Sequence, residues 1–253
     1  MITKDVSSPL SAHNKISIVV PAYNEAKFIG HLLEQLVKLP LDQYSFEKEI
    51  IVVNDGSVDA TAEIAGRFDG VLLINQDNEG KGAAVQRGVR QASGQWVLVQ
   101  DADLEYDPKE IPSMLAAIAG REKVAVYGSR VLGVIKKHGM KWPMPGKAPG
   151  QDVGPWLMNR VLTILGAVLF GQAISDLLTG YKVYPLEFLR SINIKTHGFE
   201  TDHELTAKLI RNGFKIVEVP ISYVPRSVAE GKKIRFRDGI IAIGTLIRFK
   251  FLD

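Results

Sequence analysis

WVLVQDADLEYDP, residues 96–108, runs a strand-like stretch straight into four carboxylates, Asp101, Asp103, Glu105 and Asp107. Apolar residues at successive positions mark a strand buried on both faces, the habit of parallel sheets. The same kind of run recurs as ISIVV at 16–20, EIIVV at 49–53, VLLIN at 71–75 and VAVYG at 124–128. Between the runs, residues 26–39, 59–68, 82–92 and 108–119 carry apolar side chains at helical spacing. This βαβ rhythm predicts an α/β fold with a mostly parallel sheet covered by helices on both sides.

Open sheets of this kind bind ligands beyond the carboxyl ends of their strands. Those ends read PAYNE (21–25), NDGS (54–57), DAD (101–103) and GSR (128–130). If the fourth strand continues through Asp103, Asp101 and Asp103 point to one side, with Glu105 beyond them. Two hard oxygen donors with open positions suit Mg2+ or Mn2+ bridged to a diphosphate. The plainer reading is a solvated turn, and Asp107 before Pro108 fits a helix N-cap in either case. In NDGS, Ser57 can cap the next helix and Gly56 can make the turn, which leaves Asp55 for a ribose hydroxyl or a base N–H.

Composition narrows the chemistry. The chain has no cysteine, which excludes a thiolate metal site and a cysteine nucleophile and agrees with a reducing, cytoplasmic setting. Its 31 Lys and Arg against 28 Asp and Glu give a net charge of only +3, and no aromatic residues interleave with a basic stripe, so nucleic acid is not an expected partner. The opening 1–14 lacks the apolar core of a signal peptide and reads as a flexible tail. No GxGxxG, GxxxxGK[ST] or GxSxG is present in the chain, and the histidines lack metal-ligand spacing. Lys81, in NEGKGAA, is placed to reach a substrate.

Residues 133–155, rich in Gly, Pro and Lys, read as a mobile loop. The apolar run 156–170 is shorter than the roughly 20 residues of a spanning helix. Together with Trp142 and the lysines 136, 137, 141 and 147 it matches a helix lying on a bilayer surface as well as it matches a core helix. Further strands are expected in LLTGYKVYP and KIVEVPISYVP, a helix over 201–212 ending at Gly213, and an amphipathic helix at the C-terminal end. The reading is one domain over 15–253, with a donor half 15–130 and an acceptor half 131–253.

PAYNE, NDGS, DAD and GSR in this order resemble the strand ends of family 2 glycosyltransferases of the GT-A fold. SDLLTGYKVYP (175–185), GFETDHELTAKLIRNGFKIVEVPISYVPR (198–226) and EGKKIRFRDG (230–239) are similar to the dolichyl- and polyprenyl-phosphate hexosyltransferases. The resemblance implies a nucleotide-sugar donor bound by Pro21, Ala22, Tyr23, Glu25, Asp55, Lys81, Asp101, Ala102 and Asp103, closed over by Arg226 and Lys232. It implies a metal, Mg2+ or Mn2+, at Asp101 and Asp103; Glu105, where some relatives carry Gln, is the open third ligand. Arg130 and Arg160 would hold the acceptor phosphate, and Asp103, Arg130 and Asp202 would serve catalysis, with Asp176, Glu200 and Glu204 near the sugar or the acceptor. The implied reaction moves a hexose, from UDP more than GDP, to a polyprenyl phosphate by single-displacement inversion.

An ionised phosphate oxygen is already a nucleophile, so such a reaction needs charge stabilisation more than a base. Acids early and bases late in the chain meet that need. The expected setting is cytoplasmic, with any membrane contact peripheral. Three alternatives stand beside this reading: transfer to a soluble saccharide hydroxyl with Asp202 or Glu204 as base, nucleotidyl transfer, and nucleotide-sugar binding without turnover.

Overall fold

A computed structural model describes residues 14–140, 144–148, 151–225 and 236–252. The strands are β1 (Asn14–Ala22), β2 (Phe46–Asp55), β3 (Val71–Gln76), β4 (Trp96–Val99), β5 (Val124–Ser129), β6 (Lys182–Pro185) and β7 (Lys215–Pro220). They form one sheet in the order β3-β2-β1-β4-β6-β5-β7, in which β6 alone runs against its neighbours. The helices are α1 (Ile29–Lys38), α2 (Thr61–Ala65), α3 (Lys81–Gln91), α4 (Ile111–Ala116), α5 (Arg130–His138), α6 (Val153–Phe170), α7 (Leu186–Ser191), α8 (Thr201–Arg211) and α9 (Phe236–Phe251).

Alternate residues of each central strand feed two cores. Ile16, Ile18 and Val20 of β1 pack with Leu32 and Leu36 of α1 and Met114 of α4 on one face. Val19 of β1, Val97 and Val99 of β4 and Tyr127 of β5 pack with Val85 of α3, Leu205 of α8 and Leu246 of α9 on the other. Burial on both faces is why the strands read as unbroken apolar runs.

Three expectations change. Residues 133–138 belong to α5 and 153–155 to α6, because Ser129 Oγ caps α5 by accepting from Leu132 N at 3.0 Å and the apolar spacing of 153–170 extends back past Pro155. Trp142 and Lys141 lie outside the described residues. Ser57 does not cap α2: its hydroxyl accepts from Asn24 N at 2.9 Å, while Asp59 accepts from Thr61 N at 3.0 Å. The cap at Asp107 is present, accepting from Lys109 N at 2.9 Å just before Pro108.

The fourth strand stops at Val99, so Asp101 and Asp103 sit on a turn rather than on strand alternation. Buried Gln100 ties that turn together through Asp101 O and Tyr106 O, and Leu104 takes a left-handed φ of 59°. Such a conformation in a branched apolar residue is uncommon and concentrates at functional sites.

Candidate active site

At the carboxyl ends of β1, β2, β4 and β5 lies a cavity of about 720 Å³, the size of a small-molecule site. Of the residues expected at the donor, Pro21, Ala22, Tyr23, Glu25, Asp55, Lys81, Asp101, Ala102 and Asp103 all line it. Arg130, Asp202 and Glu105 join them. Arg226 and Lys232 lie outside the described residues.

Asp55 shapes one end of the cavity. Its Oδ1 accepts from Gln76 Nε2 at 2.8 Å and Glu79 N at 2.9 Å, and Oδ2 accepts from Gly80 N at 2.9 Å. The carboxylate thus pins the turn before α3 and delivers Lys81 as the first residue of that helix.

Lys81 is the hub of the charged end. Its Nζ lies 2.7 Å from Asp101 Oδ1 and 3.9 Å from Asp202 Oδ2, while Lys182 Nζ lies 3.6 Å from Asp202 Oδ1. Burial disfavours the Lys81 ammonium, but Asp101 and Asp202 outweigh it and raise its pKa above the usual lysine value. For Asp101, burial is the largest influence and Asp103 adds to it, so its carboxyl titrates above the ordinary range despite Lys81. Close packing allows this arrangement: a Cβ at Gly82 would clash with Thr201 Oγ1, and one at Gly180 would fall 2.6 Å from Asp101 Oδ2.

Among the described residues no three His, Asp or Glu side chains are gathered as a metal cluster. Glu105, the open third ligand, has Oε2 accepting from the Tyr223 hydroxyl at 2.9 Å. Asp101 and Asp103 remain a hard, oxygen-only pair whose mutual repulsion a divalent cation relieves, and such ions commonly complete their shell with substrate phosphates. The pair fits Mg2+ or Mn2+.

The arginines differ from expectation. Arg130 lines the cavity but is held by Asp176, with Nε and an NH2 nitrogen each 2.7 Å from a carboxylate oxygen. Asp176 is fully buried and also accepts from Asn159 Nδ2 at 2.9 Å, so it fixes Arg130 instead of touching a sugar. Arg160 donates to the Ser175 carbonyl and is not a lining residue. Glu204 is likewise structural: it is fully buried, accepting from Thr196 N at 2.8 Å and pairing with Lys208 at 2.7 Å.

The sequence reading did not name several lining residues, among them Asn78, Tyr106, Phe199, His203 and Tyr223, nor Lys182, which supports Asp202 from outside the lining. Lys182 is wholly buried in β6, with Nζ 4.6 Å from the centre of the Tyr127 ring. Its only sequence signal was a charge inside a strand-like run, in KVYP.

The family model for "Glycosyl transferase family 2" matches residues 17–191, a span that holds the strand-end motifs. The chain belongs to this family. It is 29% identical over 226 residues to the low-salt glycan biosynthesis hexosyltransferase of Haloferax volcanii, covering 88% of this chain and 51% of that protein. It is 28% identical over 230 residues to the dolichol-phosphate mannosyltransferase of Pyrococcus furiosus, covering 86% and 59%. The chain thus spans between half and three fifths of these two relatives. An uncharacterized protein of Methanocaldococcus jannaschii matches over 92% of this chain and 93% of its own length at 28% identity.

Among solved structures, glucosyl-3-phosphoglycerate synthase from Mycobacterium tuberculosis, in complex with Mn2+, UDP and phosphoglyceric acid, superposes with a TM-score of 0.69 at 21% identity, covering 95% of this chain and 80% of that one. Mannosyl-3-phosphoglycerate synthase from Rubrobacter xylanophilus gives a TM-score of 0.68 at 20% identity, covering 93% and 72%. These likenesses establish the GT-A fold.

Proposed function

We propose that this family 2 glycosyltransferase moves a hexose from a nucleotide-diphosphate sugar, UDP-hexose by preference, to a polyprenyl phosphate, inverting the anomeric centre in one displacement. The observation that carries the acceptor choice is where the cavity meets the surface. Gly154, Pro155 and Met158 of α6 and Gly239 of α9 line it, and both helices present apolar side chains outward. On α6, Leu157, Ile164 and Val168 share one face and are 53%, 65% and 77% exposed; on α9, Ile240 and Phe251 are 57% and 68% exposed. Contrary to the expectation that this run is too short to span, the 18-residue α6 is long and apolar enough to cross a membrane by length and composition, and with only 17% of it buried it is not a core helix. An apolar surface of this kind beside a cavity that Lys81 and Arg130 line fits an acceptor with a phosphate head and a hydrocarbon tail.

Donor and acceptor are both anions, and the residues divide between them. Asp55 and Tyr23 flank the nucleotide, and Lys81 stands ready to exchange Asp101 for a phosphate oxygen. A divalent ion at Asp101 and Asp103 supplies, when bound, charge neutralisation for the departing diphosphate. Arg130, held rigid by Asp176, faces the acceptor phosphate with little freedom left to lose. No residue has to remove a proton, since the phosphate oxygen attacks as an anion. Arg226 and Lys232 complete the donor contacts in this proposal, and Arg160 acts at one remove through Ser175.

The test is transfer in the presence of Mn2+ from labelled UDP-glucose, UDP-galactose or GDP-mannose to short-chain polyprenyl phosphate or 3-phosphoglycerate. Label in the lipid is expected; label in phosphoglycerate alone would overturn the acceptor assignment. Asp103→Ala is expected to lower transfer by at least about a hundredfold while leaving the fold intact. Normal turnover of that variant would remove the metal pair from the mechanism.

A further inference from the structure

His203 follows Asp202 at the start of α8, is 5% exposed and lines the cavity. Its Nδ1 has no hydrogen-bond partner among the described residues. Burial, with Lys182 nearby, pulls the imidazole pKa down to about 4, so the ring is uncharged at neutral pH. A buried ring nitrogen without a partner is least costly as a bare lone pair, because orphaned N–H groups are the rarer and more expensive kind. The ring proton then belongs on Nε2.

Asp202, also lining the cavity, is the complement. Burial opposes its charge, but Lys182 and Lys81 together hold its carboxyl below the usual range. Consecutive residues thus offer an anionic acceptor and a neutral donor. A phosphate is served by neither, since the carboxylate repels it and the imidazole carries no charge. A hydroxyl, which donates and accepts at once, is served by both.

We propose that His203, paired with Asp202, reads a hydroxyl of the transferred hexose and is a specificity-determining residue for the donor. The assignment rests on the nucleotide-sugar reading above. Lys182, from beneath, keeps the acceptor half of the pair in place.

The experiment is calorimetric titration of UDP, UDP-glucose and its single deoxy analogues into the wild-type protein, His203→Leu and His203→Gln, with GDP and GDP-mannose in parallel. His203→Leu is expected to bind the bare nucleotide as the wild type does, which also reports an intact fold. It is expected to bind the sugar nucleotide about five- to tenfold more weakly, one hydrogen bond's worth. One deoxy analogue should bind wild type and His203→Leu equally, because the hydroxyl being read is gone, and His203→Gln should recover part of the loss. Wild-type ratios for every analogue in His203→Leu overturn the proposal, as does an equal loss for bare nucleotide and sugar nucleotide. A wild-type protein that binds no nucleotide or sugar nucleotide overturns the donor reading itself, and the assignment falls with it.

Discussion

The carboxylates on the β1–β2 side of the sheet and those on the β4–β6 side are satisfied in different ways. Asp55, Asp59 and Glu49 spend their oxygens largely on backbone N–H, amide and hydroxyl groups, such as Glu79 N, Ala26 N and Ser93 N. Asp101, Asp202 and Asp176 face buried or half-buried cations, namely Lys81, Lys182 and Arg130. Bonds to the backbone fix the course of a loop and cannot be traded away without moving it. A lysine or arginine can exchange one anion for another, so the charge-paired side is the one that the proposed function assigns to phosphates.

The largest effect that tests this contrast is Asp176→Ala. It strands the Arg130 guanidinium in a buried position, and breaking one partner of a buried pair typically costs about 3–5 kcal/mol. Denaturant unfolding should show a matching fall in stability, and the double variant with Arg130→Ala should lose clearly less than the two single losses added together. Strict additivity would mean that the pair is not the unit proposed.

A smaller effect is expected at Asp55→Asn, which keeps one acceptor oxygen but turns an amide NH2 toward a backbone N–H. The expected cost is about 1–3 kcal/mol, with weaker UDP binding because the 79–80 turn shifts. Lys81→Met should do the opposite, sparing the turn while lowering transfer. Equal effects of the two variants on stability and on transfer would erase the distinction between the regions.

Smallest is the pH dependence of Glu49. Burial tends to raise its carboxyl, yet hydrogen bonds from Lys15, Ser17 and Ser93 bring it down from 4.5 to about 2. A depressed acid contributes its stability fully above its unfolded value and loses it as pH falls through the folded one. Stability should therefore fall between about pH 4.5 and 2, and Glu49→Gln should lack that component in urea titrations run across the window.

The first five strands and the parallel βαβ frame could be read from periodicity, and the strand-end motifs fall where such sheets bind ligands, while the donor roles given to the cavity-lining residues came from the family resemblance. What could not be read depends on distant contacts. The antiparallel insertion of β6 carries no local signature, so Lys182 looked like an ordinary strand charge. Asp176 reads locally as a sugar-contact candidate, whereas Arg130, 46 positions away, occupies both its oxygens. Residues 133–138 and 153–155 were hidden because Gly and Pro within them outweigh helical spacing in a local reading.

The reversed strand also sets an order of events at synthesis. Among the described residues β5 pairs only with β6 and β7, and β6 begins at Lys182, 53 residues after β5 ends at Ser129. At ribosomal speeds of about 5–20 residues per second, that interval lasts roughly three to ten seconds. For that time β1, β2, β3 and β4 can assemble while a strand whose six residues are all buried in the finished fold waits with both edges open. Association between nascent chains, or the need for a chaperone, is concentrated in that interval.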